Sequence, residues 1–261
     1  MIAKKVPARR AVSMAALSLL LGPFGGAADP PPPAPRVTAL APIAVAQGFR
    51  GTVRLRGFRL KDATAVRLES AGRSTSLAIK EKKDATTPAG VEASVAGDSE
   101  IVVELTLPAD APAGPLSLVV AAGEQSAAPV VLTVRAPTAL AAVDPGTGFQ
   151  NAPWIGLGQV VPGVIGGQRE VDVYAVEAVA GKRLRITVTA RAAASLLDPF
   201  LSVHDGNGRL LAAHDDISVD NCDAALEVTP AVDGPVYCVV QDAHDTGSEW
   251  HAYLLEVVAL P

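Results

Sequence analysis

Along most of this chain apolar residues alternate with polar ones at the period of a β-strand, and Gly, Pro, Asn and Asp fall between the alternating runs. In LRITVTA, Leu184, Ile186 and Val188 share one face and Arg185, Thr187 and Thr189 the other, as in a sheet with one wetted side. In GTVRLRGF, Val53 and Leu55 are expected to face a core while Arg54 and Arg56 face water, and Gly57 permits the bend that follows. Between Arg36 and Arg135 the runs VTALAP, GTVRLRGFRL, TAVRLES, STSLAIKE, SEIVVELTLP, GPLSLVVAA and PVVLTVR recur every ~10–15 residues, the rhythm of a sandwich of short antiparallel strands. Further on, Asp205 to Gly208 reads as a tight hairpin turn between PFLSVH and RLLAAH, because Gly and Asn tolerate positive φ. The pattern predicts an all-β chain of two β-sandwich domains.

The N-terminus breaks this pattern. Lys4, Lys5, Arg9 and Arg10 precede the apolar stretch Ala11 to Phe24, which is too short to cross a bilayer of about 30 Å as a helix. The expectation is a signal peptide over residues 1–28, cleaved after Ala28, with general secretion as the route and a twin-arginine route as the alternative. A proline-rich tether is expected over 29–35, since proline fixes φ and donates no hydrogen bond. The remaining chain divides into a first domain at 36–135, a linker at 136–143 and a second domain at 144–261. No later window is long and apolar enough for a transmembrane segment, so the mature chain is expected outside the cytoplasm, secreted, periplasmic or at the cell surface.

Charge is distributed unevenly. Residues 36–135 carry 12 basic and 10 acidic side chains, whereas from Asp198 to Glu256 there are 12 acidic residues against Arg209 alone. Such a surface repels phosphates, which argues against nucleic acid and for divalent cations or basic surfaces as partners. Lys80, Lys82 and Lys83, preceded by Arg73, are read as charges guarding an edge strand rather than as a binding patch.

The acidic half also holds the candidate chemistry. Asp215, Asp216, Asp220, Asn221 and Asp223 fall within one short stretch, a concentration of hard oxygen donors that would suit Ca²⁺ if the loop folded back on itself. The alternative is that these groups cap turns and solvate a loop. Asp205 to Gly208 lacks the spacing and terminal Glu of a calcium loop and stays a turn. An oxidising compartment favours a disulfide between Cys222 and Cys238, with two buried thiols as the alternative. His204, His214, His244 and His251 match no standard metal or catalytic spacing, no nucleophile elbow or phosphate-cradling loop is present, and Cys222 has no evident catalytic partner. The expectation is therefore no enzyme. Among Trp154, Trp250, Tyr174 and Tyr253, Trp250 sits in the polar run DAHDTGSEWH and is the candidate ligand contact.

Two family resemblances sharpen these expectations. Pro42, Gly48, Val53, Leu55, Gly57 and Leu60, with the later run LPADAPAGPLSLVV, make the first domain resemble the immunoglobulin-like domains of the IPT/TIG type. The second domain resembles the bacterial pre-peptidase C-terminal domain family, and almost its whole length carries the likeness. The matching residues are Asn151, Ala152, Val161, Gly163, Ile165, the VDVY run, Gly181, Ser195, Leu197, Asp198 and Pro199. They continue through DGNGRLL, Asp215, Asp216, Asp223, Asp233, Gly234, Tyr237, Tyr253 and Leu255. That resemblance implies a jelly-roll-like sandwich accompanying secreted peptidases without doing chemistry itself, and some collagenase-linked members bind calcium and collagen. The resulting expectation is a secreted, non-catalytic binding or accessory protein, calcium-stabilised in one version, whose partner is an extracellular protein or polysaccharide. Its rivals are a stability or secretion accessory of a separate hydrolase, and a cryptic metal-dependent hydrolase that would need His214 or Asp216.

Overall fold

The computed structural model describes residues 33–70 and 72–261; the expected signal peptide and the start of the proline-rich tether lie outside them. The first half contributes β1 (Arg36–Ala41), β2 (Ala44–Ala46), β3 (Arg50–Phe58), β4 (Ala65–Ser70), β5 (Arg73–Asp84), β6 (Ser99–Thr106), β7 (Gly114–Ala122), β8 (Gln125–Ser126) and β9 (Val130–Arg135). The second half contributes β10 (Val160–Val164), β11 (Val171–Ala178), β12 (Leu184–Thr189), β13 (Pro199–His204), β14 (Leu210–His214), β15 (Ala224–Val228), β16 (Gly234–Asp242) and β17 (Ala252–Ala259). No described helix is long and apolar enough to cross a membrane.

Strands β1 to β9 hydrogen-bond in the order β1-β3-β6-β5-β4-β7-β9-β2, with β8 pairing off β7. The long β5 joins the two layers: its first half pairs with β4 and its second with β6, with a register shift between Ile79 and Glu81 where the strand turns from one sheet to the other. Val53, Leu55, Ile101 and Val103 of one layer pack on Val66, Leu118, Val120 and Leu132 of the other. The lysine half of β5 pairs on one side only, with β6, because the pairing with β4 stops at Leu77, so Lys80, Lys82 and Lys83 lie on an edge of their layer. Lys80 pairs with Glu104 at 2.8 Å, Lys83 reaches Glu100 at 3.5 Å, and Lys82 donates to the Ala63 carbonyl.

Strands β10 to β17 form two four-stranded antiparallel sheets, β10-β17-β12-β15 and β11-β16-β13-β14. Leu184, Ile186 and Val188 point inward as their alternation requires, against Leu201, Val203, Val236 and Val240 of the facing sheet. The expected hairpin closes β13 onto β14: Asp205 Oδ1 accepts from the amides of Asn207 and Arg209, and Gly208 takes φ +79°.

The stretch expected to be a linker is packed. The amide of Ala141 donates to the Val160 carbonyl, and Ala141 is buried in the second core. The second sandwich also reaches into the first. Val160, Ala193, Ala252 and Leu254 belong to the same buried cluster as the first core, and the Leu40 amide donates to the Ala194 carbonyl at 2.8 Å. Strand β17 is thus apolar on both faces, with Tyr253, Leu255 and Val257 turned to its own core and Ala252 and Leu254 to its neighbour.

Candidate functional site

Where β16 ends, Asp242 organises the loops of the second sandwich that face the first. Its carboxylate is buried and accepts from the amides of Asp198 (3.1 Å), His244 (3.2 Å) and Thr246 (2.9 Å) and from the Thr246 hydroxyl (2.7 Å). With its proton committed to Asp242, the Thr246 oxygen accepts from His251 Nε2, which leaves Nδ1 to accept from the Ser248 hydroxyl at 2.8 Å. Burial pushes the His251 pKa down, in keeping with this neutral tautomer. Serine, histidine and aspartate are linked here as in a catalytic relay, but a threonine intervenes and Ser248 Oγ also accepts the Trp250 amide. The chain of bonds fixes the loop 242–251.

That loop carries Trp250, which is 1 % exposed and packs with Ala39, Ala96 and Leu196. The guanidinium of Arg54 lies 4.6 Å and that of Arg56 5.8 Å from its ring centroid. The candidate ligand contact is therefore a buried anchor between the sandwiches, and the polar residues around it in sequence belong to the turn that delivers it. Arg56, expected in water, is only 3 % exposed and donates to the carbonyls of Ala96, Gly97 and Thr86. Arg54 bridges Glu249 and Glu100, and hydrogen bonds to those two carboxylates raise its pKa. The exposed tryptophan is Trp154, 57 % accessible, on the segment that bridges to Ala175 of β11.

A crevice of about 350 Å³ opens beside this junction, lined from the first sandwich by Gly90, Val91, Glu92 and Val95 and from the second by Arg191, Leu196, Asp242, His244 and Thr246. A wider hollow continues from it along Gln168, Arg169 and Asp245. A separate hollow of about 320 Å³ lies between the β13–β14 hairpin and the turn at 229–236.

The acidic loop does not fold into a calcium cage. Ser218 and Asn221 exchange backbone hydrogen bonds, which leaves Asp220 at the exposed tip of a tight turn. Asp215 Oδ1 accepts the Asp216 amide, Asn221 Oδ1 accepts the Asp223 amide, and the buried Asp223 accepts the amides of Ala190 and Ala192. Four of the five side chains are thus spread over separate backbone tasks or solvent. Asp216 instead faces Asp198 and Cys222, with ligand atoms of the three within 4.8 Å of one another. His244 Nε2 lies 3.2 Å from Asp198 Oδ2, whereas His214 sits apart, beside the Ala225 amide.

The two cysteines are free thiols in the structure. Cys238 faces the core from β16, where burial pushes its pKa up to about 12. Cys222 lies in the loop before β15, its pKa raised by partial burial and by the carboxylates of Asp198 and Asp216. The strand period sends Cys238 inward while the loop turns Cys222 toward the acids, so the expected disulfide is absent.

No family model matches the chain, and no curated protein sequence matches it. Solved structures similar to parts of it include the pre-peptidase C-terminal domain of a Bacillus anthracis collagenase. That domain is 21 % identical over 41 % of this chain and 94 % of its own length, with a TM-score of 0.32. Bacteroides ovatus SGBP-B of a mixed-linkage glucan utilization locus, solved with a mixed-linkage heptasaccharide, is 11 % identical over 76 % of this chain and 71 % of its own length, with a TM-score of 0.25. The CBM51-2 and INT domains of Clostridium perfringens ZmpB, solved with GlcNAc, are 11 % identical over 83 % of this chain and 46 % of theirs, with a TM-score of 0.29.

Proposed function

We propose that this chain is a non-catalytic extracellular binding protein, with a second sandwich of the pre-peptidase C-terminal type, that holds an extracellular polymer in the crevice between its two sandwiches. The observation that carries the reading is the construction of that crevice. Both sandwiches supply its walls, and the buried Trp250 and the Arg54 bridge to Glu249 hold the walls in register. A concave, preformed surface with a few convergent polar groups is the usual form of a binding site. The lining combines short apolar side chains (Val91, Val95, Leu196) with Arg191, Glu92 and His244, which suits a polypeptide segment bearing mixed charge. The exposed Trp154 supplies a flat ring of the kind that stacks on sugars and favours a polysaccharide as the second reading.

Retention of the purified chain on fibrillar collagen, insoluble chitin and β-glucan, with Val95→Arg, Arg191→Glu and Trp154→Ala variants alongside, tests both. The proposal expects retention on collagen that falls at least tenfold when Val95→Arg fills the crevice or Arg191→Glu reverses its charge. Retention on a glycan that falls only with Trp154→Ala would move the site to the second reading. Hydrolysis of any retained polymer would contradict a non-catalytic role.

A further inference from the structure

We propose that Asp198, Asp216 and Cys222, completed by His244, form a binding site for a divalent cation of the zinc class rather than for Ca²⁺. The five clustered oxygen donors of the acidic loop fail to converge, and the convergence that does occur includes sulfur and nitrogen donors drawn from three separate loops. Asp198 precedes β13, Asp216 follows β14, Cys222 precedes β15 and His244 follows β16. Donor atoms on a tetrahedral zinc, bound at about 2.0–2.3 Å, stand roughly 3.3–3.8 Å apart. The three atoms already within 4.8 Å of one another need to contract by only about an ångström to meet that geometry.

His244 supplies the fourth donor. Its ring is 70 % exposed on the side chain and its Nε2 already contacts Asp198. Rotation about its side-chain bonds therefore brings the nitrogen toward the group without disturbing a packed core. The site also has a supporting shell. The buried carboxylate of Asp242 accepts the backbone amides of both Asp198 and His244, so one group places two ligands. The buried Asp223 ties the segment carrying Cys222 to the turn at Ala190 and Ala192. Buried anchors of this kind orient metal ligands and set affinity.

The donor set decides the ion. Ca²⁺ takes six to eight oxygens and gains little from a thiolate, whereas one sulfur, one imidazole nitrogen and two carboxylates are ordinary zinc ligands. On binding, the Cys222 thiol gives its proton to solvent and the sulfur bonds the cation; no electron is transferred. The ion would staple together the loops that follow β12, β14 and β16, beside the crevice, with which it shares His244.

Cobalt(II) reports such a site through a thiolate-to-metal charge-transfer absorption. The full chain, kept reduced with a phosphine and stripped with a chelator that is then removed, is titrated with Co²⁺. The proposal expects the band to saturate at one equivalent, to be displaced by stoichiometric Zn²⁺ and to resist a hundredfold excess of Ca²⁺. Cys222→Ser removes the band and Cys238→Ser retains it, while Asp216→Asn and His244→Ala each weaken Zn²⁺ binding at least tenfold. Far-ultraviolet circular dichroism of each variant separates loss of ligand from loss of fold. Absence of the band in the folded reduced protein, a band that survives Cys222→Ser, or displacement by equimolar Ca²⁺ overturns the proposal.

Discussion

Asp172 lies in the second core with the Tyr253 hydroxyl 2.5 Å from its carboxylate, and Tyr174 follows at 2.9 Å from Tyr253. Burial pushes the Asp172 pKa up to about 6, against an unfolded value near 4. A carboxyl that holds its proton more tightly when folded favours the folded state below the unfolded pKa. That contribution is lost as pH rises through about 6. Urea midpoints should therefore fall between pH 4.5 and 7.5, and Asp172→Asn, which keeps an acceptor for Tyr253 and cannot ionise, should flatten the fall; an unchanged slope would refute the assignment. The sequence shows VDVY as a strand but hides this group. Alternation puts Asp172 on the face of Tyr174 and Val176, while only the folded sheet shows that face to be the core. Arg56 teaches the same lesson, since alternation sends it to water while carbonyls of the 86–97 segment take its guanidinium and Trp250 of the neighbouring sandwich lies beside it.

Strand β3 owes its partner to a glycine. A Cβ built on Gly57 would stand 2.0 Å from the Arg36 carbonyl oxygen, so β1 approaches there more closely than any side chain permits. The β1–β3 register shifts between Val37 and Ala39 close by. Gly57→Ala should cost about 1–3 kcal/mol, as overpacked cores do, and be read as a lowered denaturation midpoint. An unaltered midpoint would mean that the pairing tolerates separation. The bend expected at Gly57 is thus a close approach inside a strand, a distinction that local pattern cannot draw. Most strands were legible to within a residue or two because alternation and turn residues are local signals. The course of β5 through both layers was not, because it depends on pairing with β4 and β6. β11 likewise ends its sheet's strand order yet is no free edge, because Gly146 and Trp154 of a preceding segment bridge to it at Val173 and Ala175. Among the acidic residues, the sequence brought out the density of carboxylates but not their direction. Asp198 and His244, which join Asp216 and Cys222 in space, are separated from them along the chain by whole strands.

Taken together, these contacts join the sandwiches into one body. The 136–143 segment is pinned by Ala141, a shared apolar cluster crosses the junction, and Trp250 is sealed beneath two guanidinium groups. The crevice exists only while that junction holds, so binding there and domain docking are one property. Equilibrium urea unfolding of the whole chain, followed in parallel by tryptophan fluorescence and far-ultraviolet circular dichroism, tests it most directly. With Trp154→Phe removing the exposed indole, fluorescence follows Trp250 at the junction, and dichroism follows the sheets of both sandwiches. Superimposable transitions, with the dichroism midpoint moved to lower urea by Trp250→Ala, are the outcome expected of a joined body. A fluorescence transition that precedes the loss of sheet signal would mean that the sandwiches separate before they unfold, and would contradict it.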